Sequence, residues 1–103
     1  MRPIAQWSSD FTPGPGGVRT DEVGVVTGPL TLRTDLHADG RLVLNIQYLE
    51  ADEWYVVSDG RCRLSRADSD LGHRFHQAAV DLLAVGGADA AVLCPKFRDQ
   101  EPG

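Results

Sequence analysis

Two cysteines and two histidines are the residues of this chain whose types could do chemistry together. Cys62 precedes His73 and His76 in the sequence, and Cys94 follows them. Two thiolates and two imidazoles are the ligands of many structural zinc sites. Such sites usually bring their ligands in close pairs, however, and only the two histidines form one here. The elements described below also predict that Cys62 points inward while both imidazoles face solvent. We therefore expect free thiols, no metal and no cofactor.

Other catalytic arrangements have little support in the sequence. The glycines of the PGPGG stretch are not followed by the Lys-Ser or Lys-Thr of a phosphate-binding loop, and no G-x-S-x-G motif is present. A Cys-His nucleophile would need Cys62 or Cys94 to meet His37, His73 or His76. We predict no catalytic residues. A thiol- or metal-dependent protein that uses Cys62, Cys94, His73 and His76 remains one alternative.

Composition and charge restrict the partners. The 103 residues fit one domain, and the formal net charge of −5 with a pI near 4.9 argues against nucleic acid as a partner. No apolar run is long enough for a signal peptide or a membrane span. We expect a cytoplasmic protein that does not bind membranes.

Three segments divide the chain. Residues 1–20 are expected to form a flexible arm because the TPGPGG stretch disfavours both helix and strand. Residues 21–95 form the single domain, and residues 96–103 form a polar tail. Two interpretations account for the apolar side chains of Trp7 and Phe11 in the arm. They dock on the core of this domain, or they anchor in a partner. Disorder of the whole arm is the third alternative.

The middle of the chain alternates apolar and polar residues with the period of a strand. This pattern predicts strands at 23–26, 30–36, 42–49, 54–57 and 61–64, separated by turns such as Asp39-Gly40 and Asp59-Gly60. Residues 88–94 fit either a sixth strand or a short helical turn. The inward face of the two longest strands consists of Leu30, Leu32, Thr34, Leu36, Leu42, Leu44, Ile46 and Tyr48.

One helix is predicted over 69–85. Asp68 or Ser69 would be its N-cap, and Gly86-Gly87 would end it. The predicted fold class is therefore α+β, a five- to six-stranded antiparallel β-meander with one α-helix packed on one face. The stripe expected to cover the sheet consists of Leu71, Phe75, Ala78, Ala79, Leu82 and Val85.

The sheet face away from the helix carries the candidate binding residues Arg33, Gln47, Tyr55, Arg61 and Arg63. Polar residues are ordinary on the wet face of a meander. Arginine and tyrosine mixed with apolar residues are also typical of protein interfaces, and Asn45, Val43, Leu49 and Val57 are expected on the same face. Stacking of single-stranded nucleic acid on Tyr55 is a further alternative, which the acidic composition disfavours.

The stretch YVVSDGRCRL, which follows the hairpin LHADGRLVLNI, resembles the strand-turn-strand sequence of small uncharacterised bacterial domains, often encoded in phage-related genes. The resemblance covers residues 23–65 and implies a meander fold and no activity. We expect a small non-enzymatic protein-interaction or regulatory module whose partner is another protein or a second copy of the chain. Besides thiol or metal chemistry, the alternative to such a module is a protein that binds a small molecule in a helix-sheet cleft lined by Tyr48, Trp54 and Phe75.

Overall fold

The computed structural model describes residues 2–87 and 89–101. Six antiparallel strands form one sheet in the order β1-β4-β5-β6-β2-β3, and helices pack on one of its faces, which we call the inner face. The predicted α+β class is confirmed, with two α-helices instead of one. The strands are β1 (Ala5–Phe11), β2 (Val18–Thr20), β3 (Gly24–Val26), β4 (Leu30–Leu36), β5 (Arg41–Tyr48) and β6 (Tyr55–Arg63), and the helices are α1 (Ser69–Val85) and α2 (Leu93–Arg98).

The hairpin of β4 and β5 forms as the alternation predicts. Leu30 pairs with Tyr48 and Leu36 pairs with Leu42, so that the apolar residues of both strands share the inner face. Gly40 closes the turn with φ 93°, and a Cβ there would collide with the carbonyl oxygen of Leu64. Glycine is thus required at this turn for both its conformation and its size.

One long strand replaces the two short strands expected at 54–57 and 61–64. Between the pairs Val43–Arg61 and Asn45–Val56, β5 advances two residues while β6 advances five, so β6 carries three extra residues. An odd number of extra residues inverts the alternation of the faces. Asp59, with φ 59°, lies in this bulge.

The bulge moves residues that the strict alternation assigned to the outer face. Val57 is 2% exposed and belongs to the core. Leu49, also expected among the outer-face residues, follows the end of β5 and is 43% exposed.

The segment 1–20 is not a flexible arm along its whole length. Its strand β1 pairs with β4 from Ala5–Leu36 to Phe11–Leu30, and β2 pairs with β3 and β6. Trp7 and Phe11 pack against the core, which corresponds to the docked interpretation. The sequence of β1 has few apolar residues, so its local signal is weak. Hydrogen bonds to the edge of β4 stabilise it instead.

Helix α1 has the predicted ends. The Asp68 side chain accepts a hydrogen bond of 3.1 Å from the backbone N–H of Leu71, as an N-cap does. Gly86, with φ 83°, follows the last helical residue, and its N–H donates to the carbonyl of Leu82.

The buried face of α1 is displaced from the predicted stripe. Leu83 and His76 are buried, whereas Val85 is 77% exposed and Leu82 is only half-buried. The helix packs against β1 as well as β4, and β1 was not expected in the sheet. Its contact face therefore turns toward Trp7, whose ring comes within 2.8 Å of the position that a Cβ on Gly72 would have.

The C-terminal part of the described chain folds onto the sheet. For residues 88–94 the sequence allowed a sixth strand or a short helical turn, and the structure has the helical alternative: a 3₁₀ turn, Ala90–Val92, is followed by the start of α2, while Ala88 lies outside the described residues. Phe97 is buried and meets Phe75 edge to face at 5.4 Å between ring centroids. The Glu101 carboxylate accepts a hydrogen bond of 2.7 Å from the Ser65 N–H. The predicted polar tail 96–103 therefore begins inside a packed helix, and its residues 102–103 lie outside the description.

The core lies between the inner face and the two helices. Among the described residues, no helix has the length and apolar character needed to cross a membrane. The most deeply buried side chains include Leu30, Leu32, Leu36, Leu42, Leu44, Ile46, Leu64, Leu71 and Phe75.

Candidate functional site

The two cysteines are bonded to each other. Cys62 of β6 and Cys94 of α2 form a disulfide with their Cα atoms 5.2 Å apart, so the prediction of free thiols is wrong. The inward orientation predicted for Cys62 is confirmed, since it is 4% exposed. Helix α2, which the sequence did not predict, brings Cys94 to it. While the bond is intact, neither sulfur can act as a thiolate nucleophile or metal ligand.

His76 lies inside the protein, contrary to the expected exposure of both imidazoles. It is 1% exposed, with its Nε2 2.8 Å from Ser9 Oγ and its Nδ1 2.7 Å from Thr34 Oγ1. A neutral imidazole has one donor and one acceptor nitrogen, so one hydroxyl accepts and the other donates. Burial, and to a lesser extent the charge of His73, lowers the pKa of His76. The signal in the sequence was Thr34, the one polar residue on the inner face of β4.

The contact between Ser9 and His76 has the geometry of a nucleophile beside its base. The third residue, Thr34, has a hydroxyl in place of the carboxylate that usually orients such a histidine. Moreover, neither of the two pockets described below is lined by Ser9 or His76. The three side chains therefore act as a hydrogen-bonded link between α1, β1 and β4.

His73 stands apart from His76. It is exposed, and its ring stacks on Trp7 at 6.1 Å between centroids. Within residues 2–87 and 89–101, no three His, Cys, Asp or Glu side chains lie close enough together to hold a metal ion.

The outer face of the sheet, opposite the helices, holds a cluster around a buried carboxylate. Asp35 is 8% exposed and accepts hydrogen bonds from Gln6 at 2.8 Å and Asn45 at 3.3 Å. Arg33 Nε lies 3.1 Å from Asp35 Oδ1 without the alignment of a hydrogen bond, and Arg33 Nη2 donates to Oδ2 at 3.4 Å. The Arg33 guanidinium lies 4.3 Å from the ring centroid of Trp54. We call these five residues the outer-face cluster.

The outer-face cluster was only partly predictable. Arg33 and Asp35 follow each other at the spacing that places two residues on one strand face, yet no local feature of the sequence indicates that the carboxylate of Asp35 is buried. Trp54 belonged to a helix-sheet cleft only in the small-molecule alternative, and Gln6 was in the supposed arm. Packing of β1 beside β4 and of the 49–54 loop over Arg33 brings them together.

Four of the five predicted binding residues lie on the outer face. Arg33 belongs to the cluster, and Gln47 is half-buried opposite Thr31. Arg61 and Arg63 are exposed near the end of β6.

Tyr55 is the exception. The bulge in β6 pairs it with Ile46, so it lies on the inner face and packs partly against the core. Its hydroxyl donates to Glu53 at 2.9 Å, and this bond raises the pKa of Tyr55. The alternative in which nucleic acid stacks on Tyr55 beside Arg61 loses its geometric basis, because the two side chains occupy opposite faces.

The helix-sheet cleft expected for a small ligand does not form from its predicted residues. Phe75 is in the core, Trp54 is over Arg33, and Tyr48 is 41% exposed. Two pockets of other composition lie among the residues that the structure describes. One, of about 300 Å³, lies between the loop before β2 and the end of α1, beside the ion pair of Arg19 and Asp89. The other, of about 260 Å³, lies beside Arg41, Arg61 and Arg63.

Comparisons with protein-family models, with curated proteins and with solved structures found no match to this chain.

Proposed function

We propose that the protein is a small, non-enzymatic interaction module whose outer sheet face binds an acidic segment of another protein. The observation that carries this proposal is the stacking of Arg33 on Trp54 above the buried carboxylate of Asp35. Tryptophan and arginine are the residues most often found at the energetic centres of interfaces. Here Arg33 is already held in place, so binding would lose less side-chain entropy.

Charge supports an acidic partner. The outer face carries Arg41, Arg61 and Arg63 in addition to Arg33, although the chain as a whole has a net charge of −5. Asp35, Asp39 and Asp21 pair with these arginines, and the guanidinium N–H donors that the pairs leave over can bind carboxylates of a partner. Both helices lie on the inner face, so no helix of the described ranges covers these strands.

The test uses immobilised peptides with graded Asp and Glu content, presented to the full chain. We expect binding that grows with acidity, weakens as salt rises from about 50 to about 500 mM, and shifts the NMR signal of the Trp54 indole N–H. Trp54→Ala should weaken it about tenfold or more. The matched control is Val85→Ala, which truncates an exposed apolar residue on α1 and should have no effect.

Two results would overturn this function. One is acidic-peptide binding that Trp54→Ala leaves unchanged, or that shifts signals of α1 instead. The other is a stable dimer in light scattering that is lost in Trp54→Ala, because the outer face would then bind a second copy of the chain.

A cytoplasmic location remains part of the proposal, and the disulfide gives it a direct test. A reducing cytosol keeps most thiols reduced. Alkylation in denaturant at the moment of lysis, which also exposes the buried Cys62, should therefore modify Cys62 and Cys94 if the protein is cytoplasmic. Protection of both cysteines until a reductant is added would contradict that location.

A further inference from the structure

Three arginines surround the pocket of about 260 Å³ at the start of β5 and the end of β6. Arg41 pairs directly with Arg63 across the two strands, and Arg61 pairs with Val43. Like charges that face each other on adjacent strands are destabilising. The lining of the pocket consists of Arg41, Arg61, Arg63, Val43, Leu42 and the two cysteines of the disulfide.

Carboxylates of the protein neutralise this charge only in part. Asp39 bridges Arg41 at 3.1 Å and Arg63 at 2.7 Å, and Asp21 lies 3.3 Å from Arg61. The hydrogen bond from the Arg41 backbone, together with that from the Arg63 side chain, lowers the pKa of Asp39 to about 2, so this carboxylate is ionised at neutral pH. Three positive and two negative groups leave a net charge of +1 (3 − 2) around the pocket.

Most of the guanidinium donors face no carboxylate. Among the described residues, each of the three arginines gives one nitrogen to an aspartate, and a guanidinium has five N–H donors. Arginine suits planar, bidentate recognition of oxyanions. Among the other lining residues, Val43 is half-buried and shares the outer face with the arginines, whereas Leu42 and Cys62 are buried on the inner face. A pocket of this volume, slightly smaller than most sites for drug-sized ligands, fits one ring or one amino-acid side chain.

We propose that this pocket binds a small organic oxyanion, with its carboxylate or phosphate group on Arg61 and Arg63 and its apolar body against Val43 and the methylene groups of the arginine side chains. The site shares Arg41, Arg61 and Arg63 with the charged surface proposed to attract an acidic partner, but binding of a small anion does not depend on contact of that partner with Arg33 and Trp54. A bound anion would offset the excess positive charge that the pairing of Arg41 with Arg63 creates.

The test titrates the full, oxidised chain with benzoate, phenyl phosphate, acetate and inorganic phosphate at constant ionic strength, followed by backbone NMR. We expect saturable shifts confined to residues 41–43, 61–63 and 94. Either aromatic probe should bind about tenfold more tightly than its inorganic or methyl counterpart, the order expected when part of a ring leaves water. The tighter of the two aromatic probes identifies the head group.

Variants separate this site from general charge effects. Arg61→Gln and Arg63→Gln should each weaken binding of the aromatic probe about tenfold through loss of a charge-assisted hydrogen bond. Arg74→Gln, which removes an arginine from an i,i+4 ion pair on α1, is the matched control and should change nothing. Equal affinity in Arg63→Gln and Arg74→Gln would overturn the proposal. So would inorganic phosphate that binds as tightly as phenyl phosphate.

Discussion

The inner and outer faces of the sheet differ in how they hold polar side chains. On the inner face, His76 joins Ser9 and Thr34 through neutral hydrogen bonds, surrounded by leucines. On the outer face, Asp35 is almost as inaccessible, but its charge is balanced by the guanidinium of Arg33.

The difference follows from access to water. The helices remove the inner face from water, and an ion there would lose its hydration without an ionic partner, so the neutral form of histidine is favoured. Strands of the outer face have no helix over them in the described ranges, and arginine can keep part of its guanidinium hydrated while it pairs with Asp35. Packing therefore dominates the contribution of the inner face to stability, whereas the exposed ion pairs of the outer face contribute little.

Side-chain truncation on the two faces should have very different effects. Ile46→Ala and Phe75→Ala remove fully buried side chains and should lower the free energy of unfolding by about 2–5 kcal/mol. Arg61→Ala on the outer face should change it by less than about 0.5 kcal/mol. Urea denaturation of the three variants measures this. A larger loss of unfolding free energy in Arg61→Ala than in Ile46→Ala would mean that the inner and outer faces are assigned the wrong way round.

Reduction of the disulfide should cause the next largest loss in the free energy of unfolding. The bond closes a loop across 32 residues, which corresponds to about 3–4 kcal/mol in the chain-entropy model. Thermal unfolding with and without a thiol reductant, beside the double variant Cys62→Ser with Cys94→Ser, gives the value. EDTA serves as the control, because chelation should leave the melting temperature unchanged. An unchanged melting temperature after complete reduction would contradict a stabilising role for the bond.

Gly72→Ala tests whether the inner face extends to β1. An added Cβ would lie 2.8 Å from Trp7 Cη2, so the ring must move. Overpacking of this kind costs about 1–3 kcal/mol, and the better helix propensity of alanine returns at most about 1. With the full gain in propensity, we expect a net loss of up to about 2 kcal/mol and a shifted indole signal of Trp7. Ala84→Gly, at an exposed position of α1, is the control, since it should lose only helix propensity and leave Trp7 unchanged. A stabilised protein with an unshifted Trp7 signal would mean that β1 does not pack on α1.

Lowering the pH should destabilise the folded protein through His76, which is buried on the inner face. The unfolded state takes up a proton near the ordinary histidine pKa of 6.5, whereas the pKa of the folded state is lower. The contribution of His76 to stability is therefore fully present above about pH 6.5. It is lost as the pH decreases below this value, because the unfolded state binds more protons. Urea denaturation between about pH 7 and pH 5.5 should show this slope, and His76→Gln should flatten it.

The exposed His73 supplies the control for that experiment. His73→Gln should retain most of the slope, since His73 is only a secondary cause of the lowered pKa of His76. If the slope disappeared in His73→Gln and persisted in His76→Gln, the titrating group would have been assigned to the wrong histidine.

Local sequence determined the elements whose signals are short-range. The β4-β5 hairpin follows from alternation and from Asp39-Gly40, and α1 follows from its 3.6-residue periodicity, the Asp68 cap and Gly86. The α+β class was predictable for the same reason. Arg33, Gln47, Arg61 and Arg63 could be placed on the outer face because alternation holds near them.

Tertiary structure decided the features that depend on residues far apart in the chain. Strand β1 exists through its pairing with β4 and through the space that Gly72 leaves for Trp7, neither of which is visible in residues 5–11. Once β1 joins the sheet, α1 turns toward it, and His76 becomes buried against Ser9 and Thr34. The disulfide likewise depends on how α2 packs against β6.

The bulge in β6 shows the physical limit most directly. A period of two predicts faces only while the ladder is regular, and three extra residues near Asp59 invert it. Tyr55 therefore lies inside while Arg61 and Arg63 remain outside. Pairing between strands fixes the position of a bulge, because each added residue must leave the backbone hydrogen bonds of both neighbours satisfied. The sequence could thus assign Arg61 to the outer face, but only the paired strands could place Tyr55 on the inner one.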